Sequence, residues 1–151
     1  KETAPCVKYV QICLGTDVCK YGVQDSTGIG LELEKKYHQG AFPAKIKFGV
    51  SGCLRCCGES YTRDVGLIGT TKGWTVVFGG NSGRRPAMGI LIAENLSKSD
   101  ALDLIDRLLD YYREHATPKE RTARFMERIG FERIKSDLLT LLPYIRLSEV
   151  R

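Results

Sequence analysis

Apolar residues recur along this chain with two different periods. Val7, Tyr9 and Ile12 lie near alternation and predict a short strand or extended arm within residues 1–12. Ile29, Leu33 and Tyr37 recur every fourth position, which predicts a helix capped by Asp25 or Ser26 and running to about Gln39. Gly40 and Pro43 close it. Ile46, Phe48 and Val50 alternate with Lys45 and Lys47, so residues 44–50 read as a strand with one apolar face and one cationic face. Residues 54–61 are expected to form a short helix with its N-terminus towards the preceding loop. Residues 64–68 and 73–78 predict a hairpin around Thr70-Thr71-Lys72-Gly73, with Trp74 as a packing residue, and 88–93 a further strand.

From Ser97 the period changes to that of helices. Ser97 and Asp100 are spaced as a capping box, and Ala101, Leu104, Ile105, Leu108 and Tyr112 make one stripe. Thr117, Pro118 and Glu120 suit the start of a second helix, which carries Phe125 and Ile129 to Gly130. Phe131, Ile134, Leu138 and Leu141 predict a last helix, stopped by Pro143. The two histidines, His38 and His115, fall at helix ends and are expected to be ordinary surface residues. The predicted fold class is α/β (α+β): a mixed β-sheet with packed helices and a helical C-terminal end, in one domain over residues 1–151. The chain starts at Lys1 without a methionine, and we expect it to be a fragment of a longer one.

Composition narrows the class without choosing a function. With 42% hydrophobic and 27% charged residues, the chain resembles ordinary soluble globular proteins. A formal charge of +5 favours small anions or an acidic partner through long-range attraction. No basic run is interleaved with aromatics, so nucleic acid is not an expected partner. No segment is long and apolar enough to span a membrane and no signal-peptide pattern is visible, so a cytoplasmic location is expected.

The chemistry-bearing residues are cysteines, six in all. Cys53, Cys56 and Cys57 lie within five residues, directly after the predicted strand at 44–50 and beside Gly52 and Gly58. Cys13 and Cys19 lie about forty residues upstream. The pattern C-x5-C followed by C-x3-C puts four thiolates in two short loops, which is what a 4Fe-4S cluster requires. Zinc also takes thiolates, and the Cys53–Cys56 spacing suits it, whereas Cys13 and Cys19 are too far apart for a usual zinc knuckle. Disulfides are disfavoured, because a chain of this size does not need staples and adjacent Cys56 and Cys57 are awkward to pair. Cys6 stands apart and reads as a small buried hydrophobe.

These loops resemble the iron–sulfur half of the sirohaem-dependent sulfite and nitrite reductases. The likeness rests on the C-x5-C pair, on Ser51-Gly52-Cys53 with Cys57, and on Cys19-Lys20-Tyr21-Gly22-Val23-Gln24-Asp25-Ser26. It extends through the strand at residues 64–69 and through Trp74 to the glycine turn holding Asn81, Gly83 and Arg84, and covers residues 6–130 in all. The resemblance implies that Cys13, Cys19, Cys53 and Cys57 ligate the cluster and that the Cys57 sulfur also bridges to the sirohaem iron. It implies that Arg55, Asn81, Arg84 and Arg85 face the carboxylate-rich macrocycle, and that Lys45 and Lys47 meet the oxyanion substrate. Electrons would pass from an external donor protein or domain through the cluster to iron holding sulfite or nitrite. The second loop departs from the family's usual Cys-Pro-Asn-Gly-Cys: here its interior is Leu54-Arg55-Cys56, which alters the macrocycle contact and adds a thiol. Complete enzymes of the family carry two such repeats, so this chain would build only part of the pocket. The alternatives are a 4Fe-4S electron-transfer or scaffold module without sirohaem, and a structural zinc domain.

Overall fold

The computed structural model describes residues 6–148. Of the strand or arm predicted within residues 1–12, residues 1–5 lie outside this range. Five strands form one sheet in sequence order: β1 (Val7–Ile12), β2 (Ile46–Ser51), β3 (Val65–Thr70), β4 (Gly73–Phe78) and β5 (Ile90–Leu96). The first three run parallel, while β4 and β5 are antiparallel to their neighbours. The helices are α1 (Gly15–Val18), α2 (Ser26–Tyr37), α3 (Lys98–His115), α4 (Thr122–Ile129) and α5 (Phe131–Leu141). This is the mixed sheet with packed helices and a helical C-terminal end that the periodicities predict.

The alternating residues of β2 set the two faces of the sheet. Ile46, Phe48 and Val50 are fully buried and join one core with Ile29 and Leu33 of α2 and Leu104, Leu108 and Tyr112 of α3. Tyr37 stacks on Phe48 with ring centroids 5.7 Å apart, and Phe78 meets Tyr112 edge-on at 6.4 Å. The opposite face is different in kind. Gly49 of β2 and Gly66 of β3 lie beneath the segment that joins these strands; a Cβ on Gly66 would stand 2.1 Å from the Ser60 carbonyl oxygen. The missing side chains let that segment lie flat against the sheet.

Two neighbouring residues fasten the layers. Asp64 is buried; its carboxylate accepts from the Lys47 amide at 2.8 Å, from Arg121 at 3.1 Å and from the Thr122 hydroxyl. Arg63 is nearly buried beside Tyr9 and donates to Gln11 and Ser82, each at 2.9 Å, and to Glu59. Both pairings offset charges that would otherwise be costly to bury, although Arg63 Nε and Arg121 Nε are buried without a partner.

Helix starts follow the expected chemistry in two cases and not in a third. Asp25 Oδ1 accepts from the Gly28 amide at 2.9 Å, and Ser97 Oγ from the Asp100 amide at 3.1 Å. The helix expected from Thr117 starts instead at Thr122. Lys119 has a left-handed φ of 66° and its amide donates to the Pro43 carbonyl at 2.9 Å, so residues 117–120 form a turn. The short helix expected over 54–61 does not form either. Cys56 and Glu59 have positive φ, and only a single 3-10 turn at Ser60–Thr62 remains.

Three core tyrosines make stability depend on pH. Burial, the hydrogen bond to Asp137 and that carboxylate's charge push the Tyr111 phenol up to about 12. Burial raises Tyr37 and Tyr112 further. An unfolded tyrosine ionises near pH ~10. Below that pH both states keep the proton; above it the unfolded chain releases protons that the folded chain retains, so stability falls. The urea midpoint should therefore hold level up to about pH 10 and decline towards about 12, with a shallower decline in Tyr111→Phe. A midpoint that stays level across that window would contradict this account.

Candidate metal centre

Cys13 directly follows β1, and Cys53 comes two residues after the end of β2. The two strands are parallel neighbours with Ile12 opposite Val50, so both cysteine loops leave the same edge of the sheet. The Cys13 amide continues the ladder, donating to the Val50 carbonyl at 3.0 Å. Gly52 then ties the loops together. Its carbonyl accepts from the Val23 and Gln24 amides at 2.9 and 3.1 Å, and its amide donates to Cys13 Sγ at 3.1 Å.

Each loop has its own support. The single turn of α1 carries the chain from Cys13 to Cys19, whose amide donates to the Gly15 carbonyl at 2.9 Å. In the second loop the Cys56 amide donates to the Cys53 carbonyl at 3.2 Å, and the Glu59 amide to the Cys56 carbonyl at 2.9 Å. The buried Ser51 hydroxyl accepts from the Gly58 amide at 2.9 Å and pairs with Ser60 Oγ at 2.8 Å; Ser60 in turn donates to the Leu67 carbonyl at 2.8 Å. Gly58 is needed for this approach, since a Cβ there would lie 2.3 Å from the Val50 carbonyl oxygen.

Cys13, Cys19, Cys53 and Cys57 line one cavity of about 430 Å3, together with Ile12, Leu14, Gly15, Tyr21, Gly22, Ser51, Gly52 and Arg55. Cys56 is not on its wall, and its sulfur lies 3.8 Å from Ser51 Oγ. All six cysteines are free thiols. Among the described residues no three Cys, His, Asp or Glu side chains are grouped to hold a single metal ion. A space of about 430 Å3 is far larger than one metal ion needs. Four soft sulfur donors spread around such a space fit a polynuclear iron–sulfur group better than one ion. Arg55 sits at the rim with its guanidinium carbon 3.9 Å from the Tyr21 ring centroid, and Lys20 Nζ lies 5.0 Å from the same ring.

The remaining candidates lie elsewhere. Lys45 precedes β2 and is exposed; Lys47 sits on the sheet face away from the core, with Nζ 5.8 Å from the Tyr9 ring centroid. At roughly 3.3 Å per residue, Lys47 lies about 13 Å along the strand from Ser51. Asn81 spends its amide on its own turn, donating to the Arg85 carbonyl at 3.0 Å and accepting from the Gly83 amide at 3.2 Å. Arg84 and Arg85 are exposed in that turn, and none of these five residues lines the cavity. Cys6 is half-buried rather than fully buried, and only its backbone carbonyl takes part in pairing, at 3.2 Å from the Ile46 amide. Sequence reading gave no site role to Tyr21, Ser26 or the Gly52 amide. The last acts through its backbone, which no residue type announces.

Residues 3–143 match the family model described as nitrite and sulphite reductase 4Fe-4S domain. The chain belongs to this family. It is 52% identical over 134 residues to the assimilatory-type sulfite reductase of Nitratidesulfovibrio vulgaris Hildenborough, a match covering 89% of this chain and 62% of that protein. It is 37% identical over 138 residues to the nitrite reductase (NADH) large subunit of Escherichia coli K12, covering 90% of this chain and 16% of that one. The chain thus spans less than two thirds of these relatives. The crystal structure of dissimilatory sulfite reductase I superposes with a TM-score of 0.76 at 16% identity, over 92% of this chain and 53% of that one, which is a likeness of fold. In the second loop of this chain Cys56 has a left-handed backbone, φ 58°, a conformation that favours glycine.

The loop geometry gives a stability test. Gly58→Ala should cost about 1–3 kcal/mol in urea unfolding, because the methyl group collides with backbone rather than with a movable side chain. Cys56→Ser should leave the midpoint within about 0.5 kcal/mol of the parent. An unchanged midpoint for Gly58→Ala would mean that the loop does not lie on β2 as described.

Proposed function

We propose that this chain is the cluster-holding part of a sirohaem-dependent reductase of sulfite or nitrite, with Cys13, Cys19, Cys53 and Cys57 as the cluster ligands. The carrying observation is that these four cysteines line one cavity while the fifth nearby cysteine, Cys56, does not. When bound, the cluster would supply one-electron transfer and the sirohaem the iron at which the oxyanion is reduced. The protein's part is to hold the sulfurs, orient them and set the local field. Cys57 is the exposed cysteine of the six, which supports assigning it to the macrocycle side. Arg55 and Lys20 bring positive charge to the rim, favouring both ligand thiolates and an arriving anion.

Lys45, Lys47, Asn81, Arg84 and Arg85 stand off the cavity wall. Their proposed roles towards macrocycle and substrate require a larger pocket to which other parts of the whole protein contribute. In the same reading, residues 1–151 are one domain of a longer chain, served by an external electron donor. The free thiols favour a reducing compartment, the cytoplasm. No helix among the described residues is long and apolar enough to cross a membrane.

Anaerobic reconstitution with iron and sulfide should give about four irons and four sulfides per chain. Serine at any one of positions 13, 19 or 53 should remove most of that content, whereas Cys56→Ser should keep it. Added sirohaem should then give its red absorption bands, and Cys57→Ser should abolish its coupling to the cluster. A full cluster with no macrocycle uptake by the whole protein would point instead to an electron-transfer module; absence of iron and sulfide would end the redox reading.

A further inference from the structure

The four cavity cysteines are not equivalent. Cys13 Sγ accepts from the Gly52 amide at 3.1 Å and lies 3.4 Å from Ser26 Oγ. Among the described residues no side-chain or backbone donor is placed in this way against Cys19, Cys53 or Cys57. Ser26 is fully buried at the first position of α2, in a helix start held by Asp25. Its hydroxyl is enclosed by glycine backbone: a Cβ on Gly15 would stand 2.1 Å from Oγ, and one on Gly52 3.3 Å.

A buried hydroxyl has one proton and must place it. Ser26 Oγ has two acceptors within reach, both belonging to Cys13: the carbonyl oxygen at 2.8 Å and the sulfur at 3.4 Å. A protonated Cys13 can itself donate to Oγ while Ser26 donates to the carbonyl. A metal-bound thiolate has no proton to give, so the Ser26 proton becomes shared between carbonyl and sulfur. We infer that Ser26 is a positioning residue that orients Cys13 and tunes the reduction potential of the cluster through an O–H to sulfur hydrogen bond. This rests on the cluster reading above. Donors aimed at ligand sulfur stabilise the more negative, reduced cluster and raise its potential.

The test is an EPR-monitored redox titration of the anaerobically reconstituted full chain, with iron and sulfide counted on the same samples. Ser26→Ala should keep the cluster and lower its midpoint potential, by up to roughly a tenfold change in the one-electron equilibrium, about 59 mV. Ser26→Thr, which keeps the hydroxyl, should titrate with the wild type. If the alanine variant fails to hold a cluster while the threonine variant succeeds, the hydroxyl is required and the assignment stands. A full cluster of unchanged potential in Ser26→Ala overturns it, as does loss of the cluster in both variants, which would make shape the requirement. A wild type that takes up no iron and sulfide overturns the underlying cluster reading as well, so the two failures are distinguishable.

Discussion

The site depends on the parallel pairing of β1 with β2. Parallel neighbours end at the same edge of a sheet, so the loops that follow them meet. An antiparallel pair would put Cys13 and Cys53 at opposite ends of strands six residues long, about 20 Å apart. Parallel strands also need a crossover of a dozen residues or more, usually helical. The 33 residues between Cys19 and Cys53 have this physical meaning: residues 20–45 hold α2 and its connections, the crossover that returns the chain to the starting edge.

The two faces of the sheet divide the work. One is a continuous apolar core against α2 and α3. The other is pared to glycine at positions 49 and 66 so that backbone can lie on backbone, and the second cysteine loop gains its shape from that contact and from the Ser51–Ser60 pair. Loop precision therefore comes from a sheet surface that has given up side chains, with left-handed residues at Cys56 and Glu59 accepted in return.

Much of this was legible in the sequence, where the periodicities were strong. Ile29, Leu33 and Tyr37, the alternation of β2, and the stripe of α3 are all buried as their spacing predicts. The four-cysteine pattern named the residues that border the cavity. Failures occurred where long-range contacts outweighed local preference. Residues 54–61 have no β-branched run or proline to forbid a helix, yet the glycine-lined sheet face holds them in turns. Thr117, Pro118 and Glu120 have the composition of a helix start, but the Lys119 amide is engaged by Pro43, distant in sequence. Lys47 lies on the face that alternation predicts, away from the core, at the distance from the loop that strand spacing implies.

Arg63 and Asp64 are one peptide bond apart and hold opposite layers. The arginine reaches β1 and the glycine turn, while the carboxylate reaches β2 and the first residues of α4. The joint acts as a rivet driven through the sheet. Loss of the α4 start would leave the buried Asp64 carboxylate short of partners and slacken the start of β2, the end of that strand remote from the cysteine loop.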